Sequence, residues 1–414
     1  MKRICCKMIG LLLSGIFCGA LLLCLVYLLP LEPIQQHVKE SMNTITKEGE
    51  NPFLLKGYKG SSLDNFTDSI MLANASYRSE HAFYRAAMLV ERTDNGQMQP
   101  IESLYSYIMK SDRQEIIAYS RYWHGYLVIL KPLLLFLNYD QIRMLNGVLF
   151  FGVLSGMAVG FMKRKMWRGI IAFLFAVCSL FPMTIPYSLQ YSSMFYIGIF
   201  ACLSVLWRYE YFEKKKAFIY FFLCIGMLTS FFDFLTYPLF TLGMPMVLIC
   251  VLDNSENVQK IWNVIKYSIF WGIGYIGMWC GKWVVGSALT KSNLIADAFT
   301  TVAYRLSNDA SGKEINMVLA VLRNGYIYFN FIGIVLGLLL CIWIWFGSRK
   351  CKKSIPGKYQ QLLALLMTMI MPIVWYCVVV NHSYIHYWYT FRSLAVSVFA
   401  LGMIPEVICM GQEN

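Results

Sequence analysis

The chain has 414 residues, of which 58% are hydrophobic and only 14% charged, with a formal net charge of +13. A soluble protein carries closer to about a quarter of charged residues, so a soluble enzyme or binding domain is excluded; continuous rather than alternating apolar runs exclude a β-barrel. The positive charge gathers beside apolar runs, in Lys163-Arg164-Lys165 with Arg168, in Lys214-Lys215-Lys216, and in Arg349-Lys350 with Lys352-Lys353. That pattern marks cytoplasmic loops rather than a nucleic-acid surface.

Lys2, Arg3 and Lys7 precede an apolar run over residues 8–29, long enough to cross a ~30 Å hydrocarbon core. No small-residue cleavage site follows, so this run is predicted to be an uncleaved anchor with its N-terminus inside. Residues 31–125 then form a polar extracytoplasmic loop. Apolar residues between Ser69 and Val90 have the spacing of short amphipathic helices lying at the interface, and Asp64 or Thr67 is placed to cap the first of them. The stretch 126–137, split by Lys131-Pro132, is too short to cross and is predicted to be interfacial or re-entrant.

Further spans are predicted at 143–161, 169–185, 192–207, 217–235, 238–252 and 267–288. After a second outer loop at 290–324 come spans at 325–346 and 360–380, a short outer loop at 381–392, and a last span that returns the chain to the cytoplasm. This alternation keeps every basic cluster inside. The expected architecture is a single all-α membrane domain over residues 1–414: a polytopic transmembrane bundle of about ten spans, with remaining helices over 126–410 and both termini cytoplasmic. No internal repeat is evident. The 13 cysteines lie mostly inside apolar runs, where they act as small hydrophobes. No CxxC pair or Cys/His ligand spacing supports a metal site or a disulfide framework, so no cofactor is expected.

Four groups of residues could carry chemistry on the outer side. Asp64 and Asp68 are four apart, hence on one helical face; a carboxylate there can act as general base on a hydroxyl, or serve only as a cap and first-turn acid. Asp233 sits in an aromatic setting, and at ~1.5 Å per residue from Ala217 it lies roughly 25 Å up its span; it is a second carboxylate, an orienting partner for a cation, or a turn acid. Arg121, Lys131, Lys282 and Arg392 are outer cations that run against the positive-inside tendency; a lipid phosphate would account for them, as would snorkelling. His382 and His386, at i and i+4, with His124 in Arg121-Tyr122-Trp123-His124-Gly125-Tyr126, suit hydrogen bonding to phosphate or sugar hydroxyls better than metal binding. The aromatics of 384–389 fit an interfacial belt or stacking on a sugar.

This layout resembles the GT-C superfamily of integral membrane glycosyltransferases: an N-terminal span, a large first outer loop, and an acidic residue or pair near its start, here Asp64-Asn65-Phe66-Thr67-Asp68. The resemblance implies a polyprenyl-phosphate-sugar donor, a glycan or lipid acceptor in the cell envelope, and inverting transfer with Asp64 or Asp68 as base. It also implies that Arg392, His382, His386 and Lys282 hold the donor phosphate, in contact with membrane lipids. Family members often carry a soluble C-terminal domain; a chain ending at Gly411-Gln412-Glu413-Asn414 falls with the compact ones. The competing readings are a transporter or flippase for a lipid-linked saccharide, and a polysaccharide polymerase or ligase of another fold.

Overall fold

The computed structural model describes residues 2–97, 99–110, 115–253, 255, 257–310, 312–349 and 358–410; Lys350, Lys352, Lys353 and the terminal 411–414 lie outside them. The protein is an all-α bundle. Its only strands among the described residues are two short antiparallel hairpins, Glu91–Asp94 with Glu115–Ala118 and Asp309–Ala310 with Lys313–Glu314. Every predicted span holds a helix.

Six helices are long and apolar enough to cross a membrane: Ile4–Val26, Tyr139–Lys163, Leu189–Lys214, Phe331–Arg349, Tyr359–Val378 and Tyr387–Cys409. The last of these is broken into short pieces, Tyr387–Thr390, Phe391–Leu394, Ala395–Gly402 and Ile404–Cys409. Trp167–Ser179, Phe218–Phe232 and Leu239–Leu252 are apolar but shorter. Asn257–Thr290 has 34 residues, about 50 Å at 1.5 Å per residue, and carries Lys282 within it. Phe331–Arg349 buries only Leu340 and turns Leu338, Leu339, Ile342, Trp345 and Phe346 outward. Such a surface requires lipid, because water would leave a large apolar patch unpaired. The chain is a membrane protein.

The tightest crossing joins Phe218–Phe232 to Asn257–Thr290. A Cβ on Gly226 would collide with the Trp271 carbonyl, and one on Gly274 with the Leu223 carbonyl. The two backbones therefore touch, as small residues allow where dispersion and close approach drive helix association.

The segment 31–125 departs from expectation. Its leading element is an 18-residue helix, Leu31–Glu48, which buries Ile34, Val38, Met42 and Ile45 along one face. The next helix, Asn65–Ser76, is buried at every position from Asp68 to Ser76, so it is an internal strut rather than an interfacial amphipath. Phe83–Leu89 is half exposed, with Phe83 and Tyr84 outward. The stretch 126–137 forms the helix Leu127–Leu134, at about 12 Å too short to cross.

We expect Gly226→Val or Gly274→Val to force these helices apart and abolish recovery of monodisperse protein in detergent. Gly152→Ala, whose added Cβ meets open space, is expected to leave yield and melting temperature unchanged.

Candidate functional site

The two acids of the opening corner have opposite fates. Asp64 is the N-cap of Asn65–Ser76, and its Oδ1 accepts from the Thr67 N–H at 2.9 Å. Its Oδ2 is buried and has no partner. Asp68 is consumed by structure. Its Oδ2 accepts from the Tyr139 hydroxyl at 2.5 Å and the Leu189 N–H at 2.9 Å, and its Oδ1 from the Gln190 N–H at 3.2 Å. The carboxylate thus sits on the N-terminus of Leu189–Lys214, where the helix dipole favours an anion. Arg143 extends the network, donating to Tyr139 at 2.9 Å, Asn65 at 2.8 Å and Glu48 at 2.9 and 3.0 Å. The expected shared helical face is absent, because Asp64 precedes the helix that Asp68 belongs to.

Burial pushes the Asp64 carboxyl up to about 6, opposed by the Thr67 hydrogen bonds and the Arg392 charge. Burial also pushes Asp68 up to about 7, opposed by Tyr139 and Leu189 and reinforced by Asp64.

Asp233 repeats the Asp64 arrangement. Its Oδ1 accepts from the Thr236 N–H at 2.8 Å, while its buried Oδ2 has no partner. The turn it holds puts Leu235 at φ 66°, a conformation costly for a branched side chain, and aims the Leu235 carbonyl at His382 Nε2, 2.7 Å away.

The segment 381–393 supplies the opposite wall. A carbonyl only accepts, so His382 donates from Nε2 and leaves Nδ1 as a lone pair. Arg305 Nη1 donates to His386 Nε2 at 3.0 Å, so His386 carries its proton on Nδ1. Both Nδ1 atoms are buried without a partner, as are Trp388 Nε1, Asn381 Oδ1, Ser383 Oγ and Arg305 Nε. Buried polar atoms rarely go unpaired, and six of them gather here, on this segment and Arg305. Burial lowers His386 to about 3 and His382 well below its usual value, with Arg305 adding to both and His386 to His382. Both rings are neutral at physiological pH and act as hydrogen-bonding groups. Arg305 and the Leu235 turn that Asp233 holds thus meet at the two histidines.

A cavity of about 490 Å³ runs from this neighbourhood along the helices Asn257–Thr290, Leu294–Leu306 and Tyr359–Val378. Trp271, Tyr275, Trp279 and Trp375 line it, and Ile276, Phe299 and Val378 on its walls are exposed, so it opens on the side of the bundle. Its polar end carries Arg121 and Arg305. Arg121 donates to Thr301 at 3.0 Å and pairs with Asp297 at 3.2 Å.

Other expected residues have structural tasks. Lys282 Nζ donates to the Met88 carbonyl at 2.9 Å and Lys131 Nζ to the Ala75 carbonyl at 2.9 Å. Each caps the C-terminus of a helix in the segment 31–125, where a cation suits the dipole, and neither donates to His382 or His386. His124 is enclosed by Tyr119, Tyr122, Tyr126 and Phe234, its Nε2 is 2.5 Å from the Tyr119 carbonyl, and burial lowers it to about 3. Arg392 is fully buried and donates to Trp388, Gly60 and Thr184 while stacking on Tyr191 at 3.7 Å; it touches the Asp64 loop rather than the groove. Arg305, which sequence reasoning passed over, is the cation that meets the histidines. It lies in the stretch 290–324, expected outside from the sequence, and there a basic residue already runs against the positive-inside tendency. Among the described residues no group of three or more His, Cys, Asp or Glu could hold a metal ion.

Compared with models of known families, with curated proteins and with solved structures, the chain matches none of them.

Tyr139→Phe removes a charge-assisted hydrogen bond from Asp68 and is expected to destabilise the protein by about 2 kcal/mol, read as a lowered melting temperature in detergent.

Proposed function

We propose that the chain is an extracytoplasmic-face membrane glycosyltransferase of the GT-C kind, with about ten crossings and cytoplasmic termini, transferring a sugar from a polyprenyl-phosphate donor to a glycan or lipid acceptor of the cell envelope. The observation that carries this reading is Asp64. Its carboxylate has one oxygen fixed by Thr67 and one buried oxygen left free. The side-opening apolar groove suits a prenyl chain, and Arg305 and Arg121 at its polar end suit a phosphate.

The donor lies with its chain in the groove and its phosphate against Arg305 and Arg121. His386 Nδ1–H and Trp388 Nε1–H donate to phosphate or sugar oxygens. Asp64 takes the proton of the acceptor hydroxyl, whose oxygen bonds to the anomeric carbon. The carbon–oxygen bond to phosphate breaks, and polyprenyl phosphate leaves with the electron pair and inverts the anomeric centre. The cations stabilise the charge that develops on the leaving phosphate. Asp233 is placed to accept a hydrogen bond from a sugar hydroxyl.

Asp64→Asn is expected to lower transfer from a polyprenyl-phosphate sugar by about 10²–10⁴-fold with the protein still folded; transfer at the native rate would sink the assignment. Since burial raises Asp64 above its unfolded value, the base is protonated and idle in acid. Transfer is expected to rise with pH through about 6, a limb visible in a pH–rate profile. Arg305→Gln is expected to raise the donor KM by about tenfold or more while melting temperature stays close to native.

A further inference from the structure

A second set of cations stands at the rim, apart from the groove. Lys59 Nζ donates to the Tyr387 hydroxyl at 3.1 Å and lies 5.6 Å from the centre of its ring. The Arg323 guanidinium lies 4.2 Å from the Tyr384 ring and 4.4 Å from the Tyr387 ring. Neither cation has a carboxylate partner among the described residues. They come from different outer loops: Lys59 from the first, Arg323 from the helix Met317–Gly325. Their convergence on one tyrosine is therefore not a run of charge in the sequence. The platform is firm, since Tyr387 packs with Tyr58 and Tyr328 on Phe181, Ile327 and Phe391.

The rim is also continuous with the proposed base. Gly60, next to Lys59, accepts from Arg392 at 3.3 Å, and the charge of Arg392 reaches Asp64. An Arg stacked on aromatic faces keeps its N–H edge free for a bidentate anion, and tyrosine faces with a hydroxyl edge suit sugar rings.

We propose that this rim binds an anionic saccharide, one whose sugars carry carboxylate or phosphate, as the acceptor chain presented to Asp64. This rests on the glycosyltransferase reading and adds the class of its second substrate. A membrane headgroup is the other anion within reach. The paired tyrosine faces and the link to the Asp64 loop favour a saccharide, and the cations at the head of the apolar groove are a separate set.

The test uses the full-length protein in phosphatidylcholine nanodiscs, with oligogalacturonate as probe and its fully methyl-esterified, uncharged form as the matched control. Binding of the charged probe is expected to be about tenfold tighter. That preference is expected to vanish in Lys59→Gln/Arg323→Gln and to persist in Asp64→Asn. Equal binding of the two probes, or a preference that survives the double variant, overturns the proposal. So does charged-probe binding that disappears in discs enriched in phosphatidylglycerol, since the rim then reads headgroups. Failure of the enzyme reading looks different: the charge preference remains, but no sugar moves from a polyprenyl-phosphate donor to any acceptor. If the rim alone is misread, transfer proceeds equally well to charged and neutral acceptors.

Discussion

The Asp68 carboxylate is the interaction on which the arrangement depends. It takes two N–H groups from the start of Leu189–Lys214 and a hydroxyl from Tyr139, while Arg143 ties that hydroxyl to Asn65 and Glu48. Two candidate spans and the helices Leu31–Glu48 and Asn65–Ser76 meet at this one buried carboxylate. Removing one member would leave the others unpaired in a dry setting, which costs more than the pair contributes. The first outer loop is thereby locked to the bundle, and Asp64, four residues earlier, inherits a fixed position.

The same division of labour recurs among the basic residues. Lys131 and Lys282 terminate helices, Arg143 completes a network and Arg392 braces backbone carbonyls. Arg305 faces a histidine, with its Nε buried and unpaired. Arg143 and Arg392 also keep a buried, unpaired Nε, but their remaining donors go to groups of the fold. Asp64, Asp233, His382, His386 and Trp388 likewise each keep one buried atom without a partner, and they come from three separate parts of the chain.

Much of the helix plan was legible in the sequence, because continuous apolar runs report directly on helices that need lipid. Asp64 as a cap was legible too, since an acid before an apolar helix accepts its free N–H groups. The division between Asp64 and Asp68 was not. Their spacing is symmetrical on paper, and only the arrival of Leu189 and Tyr139, more than a hundred and about seventy residues away in sequence, separates them. Lys282 was misleading for a related reason: a cation in an apolar run signals a partner, but the partner is the carbonyl of Met88, which carries no signature in the sequence. The burial of Asn65–Ser76 was equally hidden, because its cover comes from the helices Pro100–Tyr105 and Leu31–Glu48 and the strand Glu91–Asp94.

The side-opening groove has a consequence for how a ligand is counted. Whatever fills a channel walled by Trp271, Tyr275 and Trp375, with Ile276 and Phe299 exposed, arrives by sliding within the plane of the bilayer. Its supply is then a mole fraction among lipids, set by two-dimensional diffusion rather than by a concentration in water. The helix Leu294–Leu306, which buries only Leu294 and Ala298, is the least anchored wall along that route. Its hold on the rest passes through Arg121, on Asp297 and Thr301, and through Arg305 on His386. The two guanidinium groups that hold this wall are also the cations at the polar end of the groove, so anything that draws on them loosens the wall as well.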